Sequence, residues 1–380
     1  MSCRLLPFAM LVSLVLTMAG GAQGAPEGFR NLEIGDSAPD FQLPGVDDKT
    51  YSLSDFSKAK LLLVVFTCNH CPTAQAYEPR LIKMHEDYRD KGLAIVAISP
   101  NDDAALRLEE LRFSDVGDSF DDMKFRAKER QFPFPYLYDG ETQKTSAAYG
   151  AMATPHVFLF DQARKLRYAG GIDNSEIKEP TSHDARNAID ALLAGKPVPV
   201  EKTRTFGCST KWSDKREEVA KWMEKVQQEP VTLESIDAAG LAKLVKNETE
   251  DYLLINVWAT WCGPCVAELP EFVTINRMYR GRNFRFVTIS MDEADQKEDV
   301  LKQLKRAQVA TTNYLSAITD RDELADVLDQ EWQGPLPYTV LIAPGGKVVY
   351  RHNEPIKPLE LRRTLVEFLG RTYASQPAKK

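Results

Sequence analysis

Trp261-Cys262-Gly263-Pro264-Cys265 is the stretch that most constrains this chain. An apolar run, Tyr252 to Trp258, leads into it, and a helix-prone stretch, Val266 to Tyr279, leads out. In the order strand, Cys-x-x-Cys, helix, the first cysteine stands at a helix N-terminus. Unpaired N–H groups and the helix dipole favour a thiolate there. The second cysteine lies one turn on, within disulfide reach. Buried thiols and a structural zinc site are the other readings of a lone Cys-x-x-Cys. Zinc takes four ligands, usually two such pairs or added histidines. The preceding Trp and the Gly-Pro loop favour redox chemistry.

The stretch resembles the active-site loop of thioredoxin. Downstream, Leu336-Pro337-Tyr338-Thr339-Val340-Leu341-Ile342 is similar to the family's cis-proline strand, with Pro337 as the cis residue. The resemblance covers roughly 231–370 and is closest to the exported, TlpA-like branch, through Cys265-Val-Ala-Glu268-Leu-Pro270. It implies that Glu268 influences protonation of the cysteines. Cytosolic thioredoxins place a buried Asp ahead of the first cysteine, where this chain has Asn256. The other reading of Glu268 is an ordinary solvated helix carboxylate.

The same order occurs earlier. Leu61 to Phe66 is a continuous apolar run, a central-strand signal. It feeds Thr67-Cys68-Asn69-His70-Cys71-Pro72, and a helix is expected from about Thr73 to Arg89. Leu93 to Ser99 reads as a strand, 101–130 as charged and helix-prone with a break near Gly117, and 135–138 as a short strand. Ala153-Thr154-Pro155-His156-Val157 repeats the proline-strand signature, with Pro155 as the cis residue. A strand at 166–169 and a helix at 182–193 close the unit. The opening, Gly35 to Pro44 and Thr50 to Phe56, resembles the AhpC/TSA redoxin family, which often adds an N-terminal hairpin to a thioredoxin core. The expected fold is α/β: two tandem thioredoxin-like folds, each a central mixed β-sheet flanked by helices.

At 380 residues the chain has room for both. With 43% hydrophobic and 27% charged residues it has the composition of a soluble globular protein. A net charge of −7 with scattered basic residues argues against nucleic-acid binding. Arg4, the apolar Leu5 to Met18 and the small residues of 19–25 read as a secretory signal over 1–24. The apolar run is short for a membrane span, so no stable membrane insertion is expected after cleavage; an uncleaved anchor is the competing reading. The redoxin unit is placed at 30–200, a connector with an amphipathic helix at 201–230, and the thioredoxin unit at 231–372. Val219, Trp222, Met223 and Val226 fall on one face of the connector helix.

Export leaves five cysteines in two tight pairs plus Cys208, which is not a dense disulfide framework. Cys208 reads equally as a third redox thiol resolving Cys68 or Cys71, or as a spare cysteine. Cys71-Pro72-Thr73 resembles the peroxidatic Cys-Pro-Thr of peroxiredoxins, but Cys68 holds the place of their Thr, and Thr154-Pro155 stands where their Arg is expected. His70 resembles the loop histidine of oxidising superfamily members, implying a stabilised Cys68 thiolate and an easily reduced disulfide; a solvent-facing His is the plainer reading. A copper-chaperone site from Cys68, Cys71 and His70 or His156 is a further alternative.

The reading implied is an exported thiol–disulfide oxidoreductase, periplasmic or extracellular. Its partners are protein thiols or disulfides and an unidentified electron donor. It needs no cofactor and no metal, because the cysteines carry the electrons. Cys262 attacks and Cys265 resolves; Trp261 and Pro337 shape the docking surface. Cys68 and Cys71 take the same roles in the first unit, with Pro155 as cis-proline and His70 as tuner.

Overall fold

Two runs of apolar residues, Leu61–Phe66 and Tyr252–Trp258, each become the centre of a β-sheet, because both their faces find cover. The computed structural model describes residues 26–373. The expected signal, 1–24, lies outside the described residues.

In the first unit the strands are β1 (Gln42–Pro44), β2 (Thr50–Ser52), β3 (Leu61–Phe66), β4 (Leu93–Ser99), β5 (Tyr136–Tyr138), β6 (Ala153–Thr154), β7 (His156–Phe160), β8 (Leu166–Gly170) and β9 (Cys208–Ser209). The helices are α1 (Pro72–Tyr88), α2 (Phe120–Arg130), α3 (Lys144–Tyr149) and α4 (Asp184–Leu193). The main sheet has the order β5-β4-β3-β7-β8, parallel on the β4–β5 side and antiparallel on the β7–β8 side. Strand alternation sends Leu61, Leu63 and Val65 to one apolar core with Tyr77, Leu81 and Ile189 from α1 and α4. Leu62, Val64 and Phe66 go to the other, beneath Leu32, Phe41 and Tyr149. The N-terminal hairpin is present as the antiparallel pair β1–β2.

The second unit follows α5 (Arg216–Gln227), the connector helix, which a short 3₁₀ turn at Ser213–Lys215 introduces. It comprises β10 (Glu234–Ile236), α6 (Ala238–Lys246), β11 (Tyr252–Trp258), α7 (Gly263–Tyr279), β12 (Phe284–Ser290), α8 (Lys297–Ala307), β13 (Thr312–Ser316), α9 (Arg321–Leu328), β14 (Tyr338–Ile342), β15 (Val348–His352) and α10 (Pro358–Leu369). The sheet order is β10-β13-β12-β11-β14-β15, again parallel on one side of the central strand and antiparallel on the other. Among the described residues, no helix is long and apolar enough to cross a membrane.

Residues 101–118 are not the expected helix. They form two short 3₁₀ turns, Asp103–Ala105 and Leu108–Leu111. Asp102 accepts the Ala104 N–H at 3.0 Å, and Glu110 the Arg107 N–H at 3.0 Å; such local side-chain bonds compete with a helix ladder. The segment packs on the second unit. Leu106 and Leu111 join the apolar cluster of Phe272, Ile275 and Tyr279 from α7. The Tyr279 hydroxyl donates to Ser114 O at 2.8 Å. Asp115, wholly buried, accepts from Arg371 at 2.6 Å and lies 3.5 Å from Arg363, both beyond or within α10.

Candidate active sites

In the second unit, β11 delivers the chain to Cys262, which occupies the N-cap of α7. Cys262 Sγ accepts the Cys265 backbone N–H at 3.3 Å, a donor the helix leaves unpaired. The two cysteines form a disulfide with Cα atoms 5.3 Å apart. Pro337 follows a cis peptide bond ahead of β14, and Leu336 packs in the same apolar cluster as both cysteines. Trp261 stands 55% exposed beside them, with the Arg321 guanidinium 5.6 Å from its ring. Trp261 is thus the exposed large apolar side chain next to this disulfide.

Glu268 is not a solvated helix carboxylate. It is buried, its Oε1 accepting from Asn256 and its Oε2 from the Ile356 N–H, each at 2.9 Å. Burial pushes its pKa up to about 7, against the opposing pull of those two hydrogen bonds. A carboxyl one turn from Cys265 thus titrates where thiol chemistry runs.

The first unit differs in its helix register. Pro72 takes the first position of α1, where its missing N–H costs nothing, so the N-cap is Cys71 and not Cys68. Helices α1 and α7 have 17 residues each, and Pro79 and Pro270 interrupt them at the same step. By that register Cys71 stands where Cys262 stands, and Ala74 stands where Cys265 does. Cys68 precedes the helix altogether. The expected roles, with Cys68 attacking and Cys71 resolving, followed the motif; the geometry follows the helix.

The donors converge accordingly. Burial alone would push the Cys71 thiol up. Hydrogen bonds from Cys208 and Cys68, the charge of His70 and the Ala74 N–H reverse this and hold it well below its usual value. The Cys208 backbone N–H donates to Cys71 Sγ at 3.3 Å. Burial pushes Cys68 well above the usual thiol range, and its Sγ lies 3.0 Å from Thr154 Oγ1. Thr154, rather than an Arg, thus faces the sulfurs, ahead of Pro155 and its cis bond.

His70 does not face solvent. It is 1% exposed, and its Nδ1 lies 2.6 Å from Asp118 Oδ2. Burial disfavours the imidazolium, but Asp118 outweighs it and raises the pKa, placing positive charge near Cys71. Cys68, His70 and Asp118 bring potential metal-ligating atoms within 4.8 Å of one another. Asp118 is already committed, however. Its Oδ1 accepts the Asn69 and His70 N–H groups, and its Oδ2 faces His70 and Asn101 Nδ2. His156 stands apart from that group; its ring packs on Phe158, and burial lowers its pKa to about 4. The sequence reading missed Asp118. It lies in a turn-rich run, Ser114-Asp-Val-Gly-Asp118, with nothing to single it out from its acidic neighbours.

Residues 34–169 match the AhpC/TSA family, and residues 231–365 match the Redoxin family. The thiol-disulfide oxidoreductase ResA of Oceanobacillus iheyensis is 27% identical over 33% of this chain and 55% of its own length. This chain therefore spans about half of that relative. ResA of Bacillus cereus is 28% identical over 42% of this chain and 83% of its own. A hypothetical protein of Sinorhizobium meliloti, solved by crystallography, is 35% identical over 48% of this chain and 97% of its own, with a TM-score of 0.44. The two matched segments are the two sheets just described, and the chain is a tandem thioredoxin-superfamily protein, an AhpC/TSA-family domain followed by a Redoxin domain.

Proposed function

We propose that the protein is a thiol–disulfide oxidoreductase that acts outside the cytoplasm on protein thiols and disulfides, with one redox site in each domain. The observation that carries the reading is Cys262 at the N-cap of α7, disulfide-bonded to Cys265 beside the exposed Trp261. Reduced, Cys262 holds the thiolate, stabilised by the Cys265 N–H and the helix dipole. It attacks a substrate disulfide; Cys265 then attacks Cys262 Sγ in the mixed disulfide and releases the reduced substrate. The ResA relatives support this activity, and the signal-like pattern of 1–24 supports export. In the first domain Cys71 takes the thiolate role.

Insulin reduction with dithiothreitol as donor tests the second site. The full chain with Cys68, Cys71 and Cys208 replaced by Ser should remain active, and adding Cys262→Ser and Cys265→Ser should abolish the catalysed rate. Equal rates in the two proteins would overturn the reading. Fractionation of cells producing the full chain tests export: recovery in the cytoplasm alone contradicts it.

A further inference from the structure

The first domain has its thiolate at an N-cap but no cysteine one turn along the helix, because Ala74 holds that step. A resolving thiol therefore has to come from outside α1. Two sulfurs touch Cys71: Cys68, which is 3% exposed, and Cys208, which is partly buried and lines a cleft of about 690 Å³ with His70, Lys211 and Tyr373.

Cys208 is delivered by a dedicated structure. Strand β9 pairs antiparallel with β6, setting Cys208 opposite Thr154 and Ser209 opposite Ala153. Gly207 lets the chain come this close: its φ is +145°, and a Cβ there would sit 2.0 Å from Thr154 O. Beyond β9, Thr210 is bound to Ala151 O at 2.6 Å and Met152 O at 3.0 Å, and the Lys211 N–H to Asn101 Oδ1 at 2.9 Å. Among the described residues, no strand pairs with Pro335 or Leu336 ahead of Pro337, and Pro335 O accepts instead from Trp332 Nε1 at 2.9 Å. The backbone edge beside the first site is thus filled by a strand carrying the chain's own cysteine, and the corresponding edge of the second is not.

We propose that Cys208 is a catalytic thiol of the first site, resolving the adduct that small disulfides entering the cleft form on Cys71 and so forming a Cys71–Cys208 disulfide. This rests on the thiol–disulfide reading of that site. The Cys71 thiolate attacks RS–SR, forming Cys71–S–SR and expelling RS⁻. The Cys208 S–H gives its proton to that RS⁻, giving RSH. The Cys208 thiolate then attacks Cys71 Sγ, closing Cys71–Cys208 and expelling the second RS⁻. Two electrons pass from the two protein sulfurs to the substrate disulfide, and the single proton leaves on the first product. Because β9 occupies the edge of β6, an extended peptide cannot pair there, which selects small disulfides over protein strands. Cys68 remains a thiol, hydrogen-bonded to Cys71.

The test uses the full chain carrying Cys262→Ser and Cys265→Ser, reduced and then exposed to oxidised glutathione, with acid quenching and non-reducing peptide mass spectrometry. The expected product is a Cys71–Cys208 linked peptide, which persists when Cys68→Ser is added. Adding both Cys68→Ser and Cys208→Ser instead should leave a stable glutathione adduct on Cys71, and Cys71→Ser should slow oxidation of the site at least tenfold. A Cys68–Cys71 link alone, formed at an unchanged rate in Cys208→Ser, overturns the role of Cys208 and leaves exchange at this site intact. No disulfide or adduct at any of the three cysteines overturns both.

Discussion

Asn256 Nδ2 donates to Glu268 Oε1 at 2.9 Å, tying the central strand of the Redoxin domain to the helix that carries its disulfide. Asn256 Oδ1 has no partner of its own, so rotating the amide presents an acceptor to a protonated Glu268. The pair therefore accommodates both protonation states of the carboxyl.

A carboxyl titrating near 7 predicts a pH-dependent rate. Insulin reduction through Cys262 and Cys265 should rise with an apparent pKa near 7, as ionised Glu268 takes the proton of Cys265. In Glu268→Gln that inflection should vanish and the rate at pH 8 should fall about a hundredfold, the lower range for general base catalysis. An unchanged pH profile counts against this role. Stability carries the opposite sign. The folded state binds the Glu268 proton more tightly than the unfolded state, so this group's contribution declines as pH rises from about 4.5 to about 7. Denaturant melts across that window should show the decline.

Covalent trapping separates the two cysteines of the Redoxin domain. Cys265→Ser removes the thiol that releases the mixed disulfide, so partners should accumulate on Cys262 as adducts on non-reducing gels. Adducts in Cys262→Ser and none in Cys265→Ser would reverse the two roles.

The His70–Asp118 pair predicts that the first site is the more oxidising. Asp118→Asn weakens the hold on the imidazolium, so the Cys71 thiol pKa should rise, as read by iodoacetamide reactivity against pH. A rise of one unit is about 1.4 kcal/mol, and the reduction potential of the site should fall by roughly 30 mV. Glutathione titration of full chains with the other site's cysteines replaced by Ser gives each potential. For scale, thioredoxin lies near about −270 mV and DsbA near about −120 mV. A first-site potential at or below the second would remove the proposed downhill direction from Cys262/Cys265 to the first site.

Asp115 predicts how the domains hold together. Asp115→Asn removes the buried charge that Arg371 reaches at 2.6 Å from beyond α10, while Arg371 keeps Glu367 and Arg126 keeps Glu78, and should cost about 2 kcal/mol. The same charge gives an acid dependence. Burial opposes ionisation of Asp115, but Arg371 outweighs it and holds the carboxyl below its usual range. Its contribution is complete above the unfolded-state pKa near 4 and is lost as pH falls through the folded value. Urea midpoints of Asp115→Asn and of the native protein should draw together only as the pH falls below 3.8.

The sequence was most legible where information is local. The runs Leu61–Phe66 and Tyr252–Trp258 announce buried central strands by their unbroken apolar character, and the Cys-x-x-Cys loops and proline strands carry their spacing in a few residues. It was misleading where two local signals compete. The Cys68/Cys71 spacing aligns Cys68 with Cys262, whereas Pro72 sets the helix one turn later and aligns Cys71. It was silent where function depends on residues remote in the chain. Nothing near Asp118 marks it as the partner of His70, and the charges of 101–118 suggest a helix when they are spent on turns.

Leu106 and Leu111 belong by sequence to the AhpC/TSA-family domain but by packing to the interior of its neighbour. A gene cut between the two matched segments would therefore not produce two intact halves. The Redoxin fragment would lose those two leucines from its apolar cluster and the Ser114 acceptor of Tyr279 on α7, leaving an uncovered face of the kind that drives self-association. The other fragment would carry two leucines with nowhere to go. In this chain, then, the two halves share an interior, and separating them asks for new polar residues at Leu106 and Leu111.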